Sequence, residues 1–269
     1  PVSALPGLGA VSSEALSLSA VVVAHNEAHQ LSQCLECLCL ADDIVVVLDR
    51  CSDDSRTIAE RFAQTVIEGA WPIEGARRNV GLEAAKGDWI LEVDADERVP
   101  EALFREIRKT VASAAPGYFL VPLDNYIGDR LVKHGWGGSW GVGAAPRLSS
   151  PGAKRWGQQR IHPSLALKGP KRWLTTPIAH YVDRDLNDMM DRLKRYTDAS
   201  AADLRASGKP SPATWWIVRR SIGRLFKCYV LRKGYREGGY GLLIAVMAAL
   251  YPLLSHFKAS LEGDENTLS

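Results

Sequence analysis

The chain is short of the features that usually settle a protein's class at once. Cysteine is scarce and badly placed for bridging. Of Cys34, Cys37, Cys39, Cys51 and Cys228, three crowd into one leucine-rich stretch and the total is odd, which excludes a disulfide framework. The crowded three lack a second Cys pair to complete a zinc site. They are expected to pack in a helix as small hydrophobes, in a reduced, cytoplasmic setting. The pattern of a secretory signal is missing too, and residues 1–17, rich in Ser, Ala, Gly and Pro, read as a flexible arm. The strongest apolar run, Leu242 to Leu254, falls short of the ~20 residues that span a bilayer. It suits a core helix or a segment lying in a membrane interface. There is no internal repeat and no low-complexity tract.

Net charge is also small, +2 over 269 residues, but it is unevenly spread. From Trp215 to Lys258 eight basic residues face a single acid, Glu237, so this segment carries +7 and the remainder −5. A mildly acidic body with a basic, apolar tail points to an anionic surface. Nucleic acid is disfavoured because no recognition motif accompanies the charge. Trp215, Trp216, the Arg and Lys set and the apolar run fit a peripheral membrane element better.

What the sequence does contain is regular alternation. Residues 20–25 and 44–49 are β-branched runs of the kind buried on both faces of a parallel sheet. Residues 65–68, 89–93 and 118–122 read as further strands. Helical spacing separates them at 28–40, 53–64, 73–86 and 100–112. The pattern predicts an α/β, Rossmann-like domain over 18–123, with a mostly parallel sheet flanked by helices. Residues 124–186 show few periods and carry Trp136, Trp140, Trp156 and Trp173, better suited to packing than to stacking on sugars; they read as active-site loops. A helical, membrane-associating appendage is expected over 187–258, with a short tail at 259–269.

Four polar clusters fall at strand ends or in the helix that feeds them: His25-Asn26-Glu27, Asp49 to Asp53, Gly75 to Asn79, and Asp94-Ala95-Asp96. In a parallel sheet the strand ends share one crevice. Asp49 suits hydrogen bonds from a base or ribose. Arg77 or Arg78 suits phosphate oxygens; being consecutive, one of the two is expected to face solvent. Two carboxylates spaced i, i+2 at a strand end suit a hard divalent cation held against a diphosphate.

With these pieces in order, the chain resembles GT-A-fold, family-2 glycosyltransferases, and within them bacterial enzymes that add glucose or a related sugar to the lipopolysaccharide inner core. The resemblance spans roughly residues 18–258 and rests on VVVAHNEAHQLSQCLECL, DIVVVLDRCSDDS, GARRNVGLEAAKGDWILEVDADERV and IAHYVDRDLNDMMDRLKRYTDASA. It implies a nucleotide-sugar donor such as UDP-glucose, contacted by His25, Asn26, Glu27, Asp49, Arg77 and Asp94. It implies Mg2+ or Mn2+ on Asp96, with Asp94 and His180 beside it. It also implies a lipid-linked saccharide acceptor reached from the cytoplasmic face of the inner membrane. The chain departs from the pattern at Arg50 and Cys51, which are bulkier than usual, and at Ile161-His162-Pro163, where a Val-His-Glu would offer a catalytic base. The base for an inverting displacement is then sought in Asp124, Asp129 or His162. Rival readings are a sugar transferase to polyprenyl phosphate or another envelope glycan, a nucleotidyltransferase, which would want a Gly-rich basic loop after the first strand, and a non-catalytic binding module.

Overall fold

The computed structural model describes residues 16–137, 140–158, 164–207 and 212–261. The elements run β1 (Leu18–Ala24), α1 (Ala28–Glu36), β2 (Asp43–Asp49), α2 (Ser55–Phe62), β3 (Thr65–Gly69), α3 (Glu74–Ala84), β4 (Trp89–Asp94), β5 (Glu97–Arg98), α4 (Glu101–Val111), β6 (Tyr118–Ile127), β7 (Arg130–Leu131), β8 (Ala144–Ser149), β9 (Lys154–Trp156), β10 (Leu165–Leu167), β11 (Lys171–Trp173), β12 (Ile178–Asp183), α5 (Leu186–Ala206), α6 (Thr214–Phe226) and α7 (Gly239–Leu261).

The main sheet has the order β3-β2-β1-β4-β8-β6-β12-β5. Its first four strands are parallel. The apolar runs of β1 and β2 are buried almost throughout because α1, α2 and α4 cover one face and α3 the other. Cys34 lies in the larger of these cores with Leu31, Leu35 and Leu38.

Residues 124–186 were expected as loops, and here the structure corrects the expectation. They complete β6 and supply β8, β11 and β12 to the same sheet. These strands are short or carry charged and polar residues, so apolar periodicity does not reveal them. β6 continues five residues beyond Pro122 with strict alternation, burying Phe119, Val121, Leu123, Asn125 and Ile127.

A second core joins Trp136 and Trp140 to Met189 and Leu193 of α5 and to Ile244, Ala245 and Met247 of α7. The apolar run is therefore part of a longer element than its sequence suggested. α7 has 23 residues, enough by length and composition to cross a bilayer, yet half of its apolar window is buried in the protein. α6 packs on it and leaves Trp215, Trp216, Ile222 and Phe226 exposed.

Candidate active site

The C-terminal ends of β1 and β2 are held in uncommon backbone conformations. Asn26 and Arg50, the residues just past these strands, have φ of +55° and +51°. A non-glycine residue there costs on the order of 1–3 kcal/mol and clusters at functional sites. The turns are tied together. His25 Nδ1 donates to the Asp49 carbonyl at 2.5 Å, and Ser52 N donates to Asn26 Oδ1 at 2.8 Å. Asp49 is buried, and its carboxylate accepts from Arg50 Nε at 3.0 Å, Trp71 N at 3.0 Å and Arg77 Nη1 at 2.9 Å. Burial works to raise its pKa, but the hydrogen bonds from Arg50 and Trp71 and the charge of Arg77 hold it below the usual range.

Neither of the consecutive arginines faces solvent, contrary to expectation. Arg77 turns to Asp49. Arg78 turns to β4, bonding Glu92 at 2.6 Å, Asp94 at 2.8 Å and Glu74 at 2.8 Å. Asn79 bonds the backbone of Trp156 in both directions at 2.9 Å. Gly75 allows this close docking, since a Cβ there would fall 2.0 Å from the Gly157 carbonyl oxygen. The helix thus clamps β9 against the sheet.

Behind the paired aspartates lies a buried charge network that sequence reasoning missed. Glu92 interrupts the apolar run of β4 and accepts from Lys154 at 2.7 Å and from Trp156 Nε1 at 3.1 Å. Burial favours its neutral form, but Lys154 and Arg78 outweigh this and bring its pKa down to about 2. Arg147 bonds Asp94, and Glu97 at 2.5 Å. Both oxygens of Asp94 are therefore engaged by guanidinium groups. Arg147 and Arg78 hold the carboxyl well below the usual range despite its burial. The signal was present: a Glu inside a strand otherwise buried throughout must find cations.

Asp96 is different. The chain turns after β4 and returns as β5, which pairs with β12 so that Glu97 sits opposite His180. Asp96 Oδ2 then lies 3.3 Å from His180 Nε2, while Asp96 Oδ1 is buried with no hydrogen-bond partner. Asn125 Nδ2 donates to the Val142 carbonyl at 3.0 Å, which leaves Asn125 Oδ1 to accept from His180 Nδ1 at 2.8 Å. That assignment puts the Nδ1 proton toward Asn125 and aims Nε2 at Asp96. Burial disfavours the charged imidazole, yet the hydrogen bond and charge of Asp96 raise its pKa. A free carboxylate oxygen beside an imidazole nitrogen fits a divalent cation. Among the described residues no third His, Cys, Asp or Glu joins them, leaving positions for a diphosphate.

Comparisons with known proteins agree with this geometry. The model of glycosyl transferase family 2 matches residues 19–137, from β1 through the strand-end clusters. Over that part of its length the chain is similar to glycosyl transferase family 2. It is 24% identical to the lipopolysaccharide core biosynthesis glycosyltransferase LpsC of Rhizobium meliloti, over 90% of this chain and 92% of that protein. An uncharacterized glycosyltransferase of Rickettsia felis is 22% identical over 94% of this chain and 93% of its own. The crystal structure of S. aureus TarS 1-349 in complex with UDP superposes with a TM-score of 0.51 at 13% identity, covering 90% of this chain and 91% of that one. The chain thus has the GT-A fold, a mostly parallel sheet with flanking helices.

A cavity of about 540 Å3 opens beside Asp96, between the end of β1 and α5. Its acids are Glu27, Asp96, Asp183, Asp188, Asp191 and Asp198. Glu27 accepts from Gln30 at 2.7 Å, and burial followed by the nearby Asp96 raises its pKa. Asp183 is paired with Arg192, Asp188 with Arg184 and Asp198 with Lys258. Asp191 alone among these acids has no ion pair or hydrogen bond among the described residues.

Of the three bases considered from sequence, the two that are described are not brought to this place. Asp124 pairs with Ala179 in the β6–β12 ladder, so it points to the sheet face opposite His180, and its neighbour Asn125 takes the inward position. Asp129 is exposed in the turn before β7 and lines a different cavity. His162 lies outside the described residues.

Proposed function

We propose that this chain is a family-2 glycosyltransferase that moves a hexosyl group, glucose from UDP-glucose, with inversion onto a lipid-anchored saccharide of the lipopolysaccharide-core type, at the cytoplasmic face of the inner membrane. The observation that carries the reading is the orphan Asp96 Oδ1 beside His180 Nε2, at the edge where Asn26, Glu27, Asp49 and Arg77 converge. Buried polar atoms without partners are rare in folded proteins. Arg77 Nε is another at the same edge, so a ligand with donors and acceptors is wanted there.

In this reading His25, Asn26, Glu27, Asp49 and Arg77 bind the nucleoside, with exposed Arg50 moving aside to free Asp49. Asp94, held by Arg78 and Arg147, presents its carboxylate edge to the ribose. Asp96 and His180 hold Mg2+ or Mn2+, which when bound neutralises the departing diphosphate. Asp191 removes the acceptor hydroxyl proton as the oxygen attacks the anomeric carbon from the open cavity. The similarity to LpsC supports a saccharide acceptor. The exposed Trp215, Trp216, Ile222 and Phe226, set among Arg219 and Arg220, support docking of α6 on an anionic bilayer.

Thermal stabilisation by UDP tests the core of this reading. It should grow when Mn2+ is added, and Asp96→Ala should abolish the metal-dependent part. Metal-dependent stabilisation that survives Asp96→Ala would sink the assignment.

A further inference from the structure

We propose that a second, basic cavity on the far side of Asn125 is a subsite for a phosphate group carried by the acceptor. The cavity measures about 350 Å3, and Lys133, His134, Arg232 and Lys233 line it together with Asn125 and Trp136. No acid lines it. Glu237, next to it, spends Oε1 on the backbone N–H groups of Lys133 and His134, at 3.0 Å each.

Arg232 is built in from behind. Its carbonyl accepts from Gly135 N at 3.0 Å, and its guanidinium rests on Gly137, where a Cβ would fall 1.8 Å from Nη1. Its guanidinium makes one long contact, Nη1 to Cys228 Sγ at 3.6 Å. Lys133, Arg232 and Lys233 have no carboxylate partner among the described residues. The half-buried and buried arginines of the strand-end site all have one. Lys233 is also held at φ +60°, the third non-glycine residue in the left-handed region after Asn26 and Arg50. Like charges gathered in a concave site repel, and a phosphate oxyanion relieves that cost while forming charge-assisted hydrogen bonds.

The position suits an acceptor. Asn125 is shared between this cavity and His180, and Leu231, on the cavity's other wall, is 64% exposed and continues the apolar face of α6. The cavity therefore bridges the reaction edge and the proposed bilayer face. The inference rests on the glycolipid-acceptor reading, and its test separates the two.

Pyrophosphate is titrated calorimetrically into the full chain with UDP and Mn2+ saturating the donor edge. Lys133→Gln/Lys233→Gln changes only exposed side chains, so folding is preserved. At least a tenfold loss of pyrophosphate affinity is expected, with UDP affinity unchanged and flotation on phosphatidylglycerol vesicles retained. Absent pyrophosphate binding in the unaltered protein, or equal affinity in the variant, overturns the subsite. Vesicle binding lost while pyrophosphate binding persists assigns these cations to bilayer headgroups and also overturns it. If UDP fails to bind while the variant still loses pyrophosphate, the donor reading falls and the subsite stands.

Discussion

At the strand-end edge the largely buried Arg78 and the buried Arg147 meet Glu92, Asp94 and Glu97, whereas along α6 Arg219 and Arg220 stand beside the exposed Trp216. The two regions use the same residue type for opposite purposes. Buried, fully paired charges fix geometry: once desolvated, each group has only one low-energy arrangement. Exposed cations next to apolar rings keep their hydration and adapt to a surface whose details vary. The contrast suits the proposed function, in which a diphosphate is placed precisely while the acceptor is met at a fluid boundary.

The largest effect is expected at the cavity beside Asp96. Asp191→Asn should lower kcat by roughly 10^2 to 10^4, the usual worth of a general base, and leave UDP affinity unchanged. A variant with near-normal kcat would move the base elsewhere. Next in size is the network itself. Arg147→Met leaves Asp94 and Glu97 buried without that partner, and removing one member of a buried pair costs about 3–5 kcal/mol. Chemical denaturation should show it, with Arg219→Met, on the exposed helix, changing stability by under about 0.5 kcal/mol. Equal effects from the two would erase the distinction drawn between the regions.

Much of the donor edge is legible in the sequence because parallel strands announce themselves. The β-branched runs of β1 and β2 end where the polar clusters begin, and topology brings those ends together. The acceptor half is harder to read for physical reasons. β8 and β12 mix charged and polar residues, and β5 has only two residues, so none carries a hydrophobic period. The inward role of Asn125 was nevertheless available. Extending the alternation Phe119, Val121, Leu123 by one step reaches Asn125 and puts Asp124 on the other face. Pro122 disguised that continuation, because proline within a run argues against a strand interior. The network around Glu92 joins residues as far apart as Arg78 and Lys154, a pairing that only the folded chain displays.

Asn125 is a buried polar residue whose effect should be felt through another group. With its Oδ1 gone in Asn125→Leu, His180 is no longer held in the tautomer that aims Nε2 at Asp96. Residues that orient a metal-ligating histidine are typically worth about 10–100-fold in metal affinity. Mn2+ affinity in the presence of UDP should fall by that factor, and Asn125→Asp, which keeps the acceptor, should recover part of it. Loss of fold stability without loss of Mn2+ affinity would make Asn125 a packing residue only.

The smallest expected effect belongs to the surface. Trp215 and Trp216 stack at 4.3 Å between ring centroids, with Arg219 over the Trp216 ring at 5.2 Å. Both indoles are half exposed or more. Their replacement therefore removes little from the core. Trp215→Ser/Trp216→Ser should leave thermal stability nearly unchanged while reducing flotation on phosphatidylglycerol vesicles several-fold. Because bilayer binding sums buried apolar area and attraction to anionic lipid, raising salt should weaken the unaltered protein and the variant alike. The remaining difference between them measures the apolar share. A variant that floats as well as the unaltered protein at every salt concentration would mean that α6 meets something other than a bilayer, and that its adaptability serves a protein partner.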